Sequence, residues 1–335
     1  MDDSYLWDGS GSVDPEVERL ERQLGRFRNG RRALRLPEPR RPWVRPILAA
    51  AAALLTAAGI FFVARPGAAP EWQVESLQGT PVVGSRPITQ AATTLPVGQS
   101  VVTDGSSRAK LGIGRIAEIS VGPNSRVRLV RSRPIEQRLA LDRGRISAKI
   151  WAPPRLFFIQ TSSALAVDLG CAYTLEVDDS GVGILRVETG WVSFERDGRE
   201  SIVPAGAVCA TRPSAGPGTP YYEDATPEFR RALESLDSHS GAGAALSTIL
   251  AGARKRDGLT LWHLLERTRG ADRERVYERL ARLIPPPPAA AREGVLRGEE
   301  RALESWLREL PGMPLVPRGA FRSFWRRLWF RLARA

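Results

Sequence analysis

The spacing of apolar residues changes four times along the chain and divides it. Asp14-Pro15-Glu16 is a helix start, with Asp as N-cap, Pro at the first helical position and Glu in the first turn. Val17, Leu20, Leu24 and Phe27 follow at i, i+3, i+7 and i+10, one apolar face of a helix over residues 14–28. Residues 47–64 (ILAAAAALLTAAGIFFVA) then run without a charge or a period. Residues 72–212 hold short apolar or alternating runs: Ala117–Val121, Arg126–Val130, Arg138–Leu141, Arg145–Ile150, Phe157–Gln160, Ala164–Leu169, Tyr173–Val177 and Val192–Phe194. Gly, Pro, Asn and Asp punctuate them, among them Gly122-Pro123-Asn124, Gly144 and Asp178-Asp179, so this stretch reads as an all-β domain that the Pro213–Pro220 loop closes. From Thr226-Pro227-Glu228 the period becomes helical. Helices are expected over 226–236, 244–256, 259–269, 272–284 and 299–310, with the four prolines of 285–288 as a break.

The uncharged stretch sets the expected organisation. It lies between Arg45 and Arg65, and its 18 residues at 1.5 Å each just cross a hydrocarbon core of about 30 Å. A buried helix of a soluble domain would show a polar stripe. A cleaved signal peptide would have an n-region far longer than usual. Ten arginines precede the stretch, and after Arg65 none follows until Arg86. The positive-inside rule then places the N-terminus in the cytoplasm. The expected fold class is a multi-domain, membrane-anchored protein. Residues 1–45 form a cytoplasmic segment with its helix and an Arg/Pro linker, 46–65 a single transmembrane helix, and 72–212 an extracytoplasmic all-β domain. An all-α region at 226–310 and a basic aromatic tail at 319–335 complete it. The expected localisation is the bacterial inner membrane, single-pass, with the C-terminal bulk periplasmic.

Composition narrows the chemistry. The 335 residues include only two Cys and two His, too few for zinc fingers, iron–sulfur clusters or His-rich metal catalysis. A histidine base could only be His239 or His263, and His263, within Leu261–Leu265, reads as a packed or surface helix residue. No enzyme, metal or cofactor is expected. The net charge of +12 would suit nucleic acid, but much of it is the arginine cluster before the span. Residues 108–155 carry twelve Arg or Lys against three acidic residues. That run reads as a solvated strand face, or as a basic face for an anionic envelope polymer, lipid headgroups or an acidic partner protein.

The β stretch resembles the FecR family, the ferric-citrate-type envelope regulators. The matching pieces are Val97-Gly98-Gln99 with Thr103, Gly122-Pro123-Asn124-Ser125, Leu141-Asp142-Arg143-Gly144 and Ile159-Gln160-Thr161. They continue with Gly170-Cys171-Ala172-Tyr173-Thr174-Leu175, Val187-Glu188-Thr189-Gly190-Trp191-Val192 and Pro204-Ala205-Gly206. The series covers about residues 95–210 in order. It implies a compact, partly solenoid-like β fold, no catalytic residues, and a regulator that passes an envelope signal to a cytoplasmic transcription factor, first of all a sigma factor. Two features depart from the family. Cys171 stands where the family has Thr, and the N-terminal segment lacks a full sigma-binding helical bundle or a Cys/His zinc motif. The other reading is a structural or binding protein of the cell envelope.

Three candidate sites follow. The stripe Val17, Leu20, Leu24 and Phe27 is a partner-binding face, because an isolated helix of this length needs something to pack on. Cys171 and Cys209, the only cysteines, are a disulfide pair if the β domain is in an oxidising compartment, or else two buried thiols. Phe321, Phe324, Trp325, Leu328 and Trp329 share a helical face opposite arginines, the pattern of a helix in the membrane interface or of one docked on the protein's own helices.

Overall fold

The computed structural model describes residues 15–27, 71–89, 92–238 and 242–311. It divides into two units, Met1–Arg65 and Pro66–Ala335. The first contains helix α1, Pro15–Leu24, continued by a 3-10 turn at Gly25–Phe27.

The second unit opens with β1 (Trp72–Gln78), β2 (Val82–Val83), β3 (Arg86–Pro87), β4 (Ala92–Leu95), β5 (Ser100–Val102) and β6 (Arg108–Ile113). β7 (Ala117–Val121), β8 (Arg126–Arg133), β9 (Glu136–Ile150), β10 (Phe157–Gln160), β11 (Leu165–Asp168) and β12 (Ala172–Val177) follow. The last strands are β13 (Gly183–Thr189), β14 (Trp191–Arg196), β15 (Arg199–Pro204), β16 (Ala207–Arg212), β17 (Gly216–Pro217) and β18 (Tyr221–Tyr222). Then come α2 (Pro227–Asp237), α3 (Ala242–Gly252), α4 (Gly258–Arg267), α5 (Gly270–Leu283), α6 (Arg292–Arg297) and α7 (Glu300–Arg308).

All 18 strands form one hydrogen-bonded network folded into two layers. One layer runs β4-β1-β6-β7-β9-β12-β13-β16-β18, the other β3-β2-β5-β8-β9-β10-β11-β14-β15. β9 belongs to both. Its first half pairs with β8 and, in parallel, with β10, while its second half pairs with β7 and β12.

Alternation builds these strands. On β8, Val127 and Leu129 are fully buried while Arg126 and Arg131 point to solvent. The inward faces of the two layers meet in a core of Trp72, Leu111, Ile119, Leu139, Phe157, Tyr173 and Phe194. The turn residues stack beside it. Thr103 Oγ1 donates to the Gly122 carbonyl at 2.7 Å and accepts from the Ser125 amide at 2.9 Å, and Ser125 Oγ accepts from the Arg145 amide at 2.9 Å. A second core lies among the helices, around Trp262, Leu265, Val276, Leu280 and Trp306, and it takes in Ile202 from β15. Thr226 caps α2, its Oγ1 accepting from the Phe229 amide at 3.2 Å.

Several expectations change. Gly144 is not a break between two strands. It sits inside β9 at φ +91, where the strand passes from one layer to the other and a Cβ would lie 2.4 Å from Ser125 Cα. The Pro213–Pro220 stretch is not simply a closing loop, since it contains β17, which pairs with β16. The single-pass, membrane-anchored fold class is also corrected, and the inner-membrane localisation with it. No helix among the described residues is long and apolar enough to cross a membrane. The longest of them, α5, has 14 residues, about 21 Å, and is rich in Arg and Glu. The stretch 46–65, whose alanines contribute little hydrophobicity, lies outside the described residues.

The contact at Gly144 sets a test. Gly198 also has positive φ (+83), but nothing lies within 4 Å of its would-be Cβ. Gly198→Ala therefore costs only the left-handed penalty, about 1–2 kcal/mol. Gly144→Ala adds a backbone collision, and the total loss is expected at roughly 3 kcal/mol or more. Denaturant unfolding of both variants compares them, and equal losses would show that the β9 crossing tolerates a side chain.

Candidate interaction surfaces

Helix α1 is amphipathic without a buried residue. Glu16 and Glu18 lie in its first turn and Arg22 in its last, each matching the helix dipole, and Arg22 pairs with Glu18 at 3.3 Å. Val17, Leu20 and Leu24 fall on one face. Val17 is half-buried, whereas Leu20 and Leu24 are 55% and 58% exposed. Phe27 closes the 3-10 turn, and its side chain is not among those described. The tail residues Phe321, Phe324, Trp325, Leu328 and Trp329 lie outside the described residues, as does His239.

Eight of the twelve cations of residues 108–155 form ion pairs, and they share six acids. Lys110 pairs with Glu118, Arg126 and Arg128 with Asp142, and Arg131 and Arg138 with Glu136. Arg143 reaches Asp179, Arg145 reaches Glu176 and Arg155 reaches Glu195. Glu118, Glu136 and Asp142 belong to the run itself, and the fold brings in Glu176, Asp179 and Glu195 from outside it, so the positive excess is reduced but stays. Each exposed pair adds little stability.

The cysteines do not form the expected bridge: both are free and buried. Sheet register is the reason. β13 lies between β12 and β16, which separates the two sites by two strand spacings, roughly 9–10 Å. Cys209 faces Leu185, while Cys171 lies four residues before Leu185's other partner, Leu175, a further offset of roughly 13 Å along the strands. A disulfide needs Cα atoms within about 7 Å. Each thiol is held locally instead. Cys209 Sγ donates to the Gly218 carbonyl at 3.3 Å, and burial pushes its pKa up to about 12. Cys171 donates to the Asp168 carboxylate, which also accepts from the Gly170 amide at 2.9 Å. Burial pushes the Cys171 thiol up strongly, with the Asp168 charge adding to it. Both are inert thiols under ordinary conditions.

A polar junction with no local signature in the sequence joins the helices to the sheet. His263 Nε2 accepts from the Ile202 amide at 3.1 Å. Arg267, one turn along α4, donates to Ser201 Oγ and Thr219 Oγ1, each at 2.6 Å. Desolvation lowers the Arg267 pKa to about 10, with nearby Arg199 adding to the effect and Asp237 opposing it. Thr260 Oγ1 donates to the Pro220 carbonyl at 2.8 Å. At the far end of the junction Arg254 and Arg256 pair with Asp224, and Arg256 stacks 4.2 Å over Tyr222. No group of three or more His, Cys, Asp or Glu side chains among the described residues could hold a metal ion. A groove of about 550 Å³ lies at the β2–β3 hairpin, lined by Gly84, Arg86, Ile88, Thr93 and Gln99.

No family model matches the chain. No curated protein matches it either. Among solved structures, the chain is similar to a putative anti-sigma factor from Parabacteroides distasonis ATCC 8503, in crystal structures at 1.65 Å and 2.50 Å resolution. Each comparison has a TM-score of 0.33 and 12% sequence identity, covering 41% of this chain and 64% of that one. A TM-score this low marks a coarse resemblance only.

Asp168 supplies a test. It is fully buried, and desolvation raises its pKa to about 6, against the hydrogen bonds from Cys171 and Gly170. The folded-state value lies above the unfolded one, so ionising Asp168 costs stability, and the protein gains stability as pH falls from above 6 toward 4. A two-unit shift is worth about 2–3 kcal/mol. In Asp168→Asn that part of the pH dependence is expected to disappear. Chemical unfolding of both proteins at pH 7.5, 6 and 4.5 measures it, and parallel stability curves would refute the assignment.

Proposed function

We propose that the chain is a regulator acting by protein–protein contact, with α1 as its partner-binding element and a sigma factor as the partner. The observation that carries this reading is the exposure of Leu20 and Leu24, which are 55% and 58% accessible on a helix that buries none of its residues. A ten-residue helix whose leucines stay exposed is marginal in water. Seating the stripe in a partner's groove removes both leucines from solvent. The FecR resemblance of residues 95–210 names the partner class. The folded strands and helices of the second unit hold the remaining candidate surfaces, and their chemistry suits binding and packing.

Substitution tests the proposal. Burying a leucine is worth about 1.5–3 kcal/mol, so losing two removes at least about 3 kcal/mol of binding, more than a hundredfold in affinity. The full-length chain and Leu20→Asp/Leu24→Asp are used to capture partners from the native host, with bound proteins identified by mass spectrometry. The expected result is a sigma factor held by the parent chain and lost from the double variant, whose cysteines stay protected from alkylation. Retention of the same partners by the double variant would overturn the role of α1. A captured protein lost from the variant that is not a sigma factor would overturn the partner class.

A further inference from the structure

β15 is an edge strand. Its pairing partner is β14, along Trp191↔Pro204 to Arg196↔Arg199, and its outer side faces α4 rather than another strand. An uncovered edge leaves backbone donors and acceptors available to any extended chain. Here two side chains of one helix face occupy them. The outward amide of Ile202 donates to His263 Nε2 at 3.1 Å, and the outward carbonyl of Glu200 accepts from Arg267 Nη2 at 3.5 Å. His263 and Arg267 are four residues apart on α4, so they stand one above the other as the strand groups do. Ile202 itself is 2% exposed and packs in the helical core.

We infer that His263 is a proton-operated latch that keeps the β15 edge closed. A ring nitrogen that accepts an amide hydrogen must be bare, which assigns the neutral tautomer with its proton on Nδ1. That proton faces Glu266 Oε2, 3.6 Å away. Adding a second proton places an N–H at Nε2 directly against the Ile202 N–H. Two donors then face each other at a fully buried site, and the edge amide loses its acceptor.

Charged groups surround the ring. On α4 it is flanked by Glu266, 3.6 Å from Nδ1, and by Arg267 one turn on. On β15, Arg199 is turned to Asp237 of α2, which Arg267 and Thr219 also engage, and Glu200 is turned to Ser193. On the other side of Trp262, Arg273 of α5 and Glu300 and Glu304 of α7 line a groove with Glu266. The remaining junction bonds, from Thr260 to Pro220 and from Arg254 and Arg256 to Asp224, do not depend on an imidazole. The change is therefore local: the helices stay docked through these bonds and those of Arg267, while the Ile202 amide of the β15 edge loses its acceptor.

Amide exchange on the full chain at pH 7.5 and pH 5.0, corrected for intrinsic rates, tests the latch alongside His263→Gln. Glutamine retains an acceptor and does not titrate. In the parent chain, protection of the Ile202 amide is expected to fall at least tenfold at pH 5.0, while in His263→Gln it stays the same at both pH values. Unchanged protection in the parent chain, or an equal fall in His263→Gln, would overturn the inference. The nitrogen chemical shifts of His263 in the parent chain give a second measure that does not depend on the variant folding. An Nε2 that stays bare at pH 5.0 would overturn the latch, as would a protonated Nε2 with Ile202 still protected.

Discussion

Fifteen residues, Glu136–Ile150, hydrogen-bond to β8 and β10 along one half and to β7 and β12 along the other, so one strand fixes the relation between the two layers. The strands before β9 and those after it join each layer from opposite sides of this shared strand. The handover needs a residue that adopts positive φ with no side chain, because Ser125 occupies the space beside it and uses its hydroxyl to hold Arg145. Thr103 extends the same contact to the neighbouring turn. A small set of hydroxyls and one glycine therefore aligns the turns on which both layers are hung. The apolar core follows, since Leu139 and Leu141 from one half of β9 and Ile146 and Ala148 from the other all point into it.

The same two-layer plan creates a second constraint at its far end. A sandwich that does not close on itself leaves edges, and β15 is one of them. The helical region lies against that edge, and its packing reflects it: Ile202 sits in the helical core, with Trp191 and Tyr221 beside it. Arg267 is buried because the groups it serves, Ser201, Thr219 and Asp237, are themselves at the seam. Removing any one of them would leave a buried charge short of partners, a larger loss than any of these bonds adds.

How much of this could be read from the sequence depended on whether a residue's environment was local. Ala117–Val121 and Phe157–Gln160 are strands to the residue, bounded by turn signals on both sides. The Thr226-Pro227-Glu228 start of α2 is equally local, because a cap contacts only the next turn. β15 and β16 carry no readable period, because Ser201 to Pro204 and Ala207 to Cys209 are each buried in a row and little alternation remains. Gly144 reads as a break because a glycine at a turn and a glycine at a crossing look alike in sequence. Counting cysteines suggested a bridge, but pairing depends on strand register, and β13 stands between them. His263 was legible as a packed helix residue, while its partner lies 61 residues earlier, beyond the reach of any local pattern. The uncharged stretch 47–64 has composition but no period, and composition alone did not fix an architecture.

Charge and apolar surface divide differently over the described residues. Many cations of the β layers meet acids on neighbouring strands and turns, which offsets part of the local positive excess. The apolar helix faces of the second unit are covered: Phe229 and Leu233 of α2, Val276 and Leu280 of α5, and Leu303 and Trp306 of α7 are buried. α1 is the exception among the described helices, with an apolar stripe of the same kind and no residue buried. Its dipole-matched ends and its Glu18–Arg22 pair add only a few tenths of a kcal/mol each, too little to hold ten residues helical on their own. Amphipathy without burial is unfavourable twice, through exposed leucine and through unsupported helix, and one event relieves both. On the proposed reading, seating Leu20 and Leu24 against a partner's apolar surface is that event.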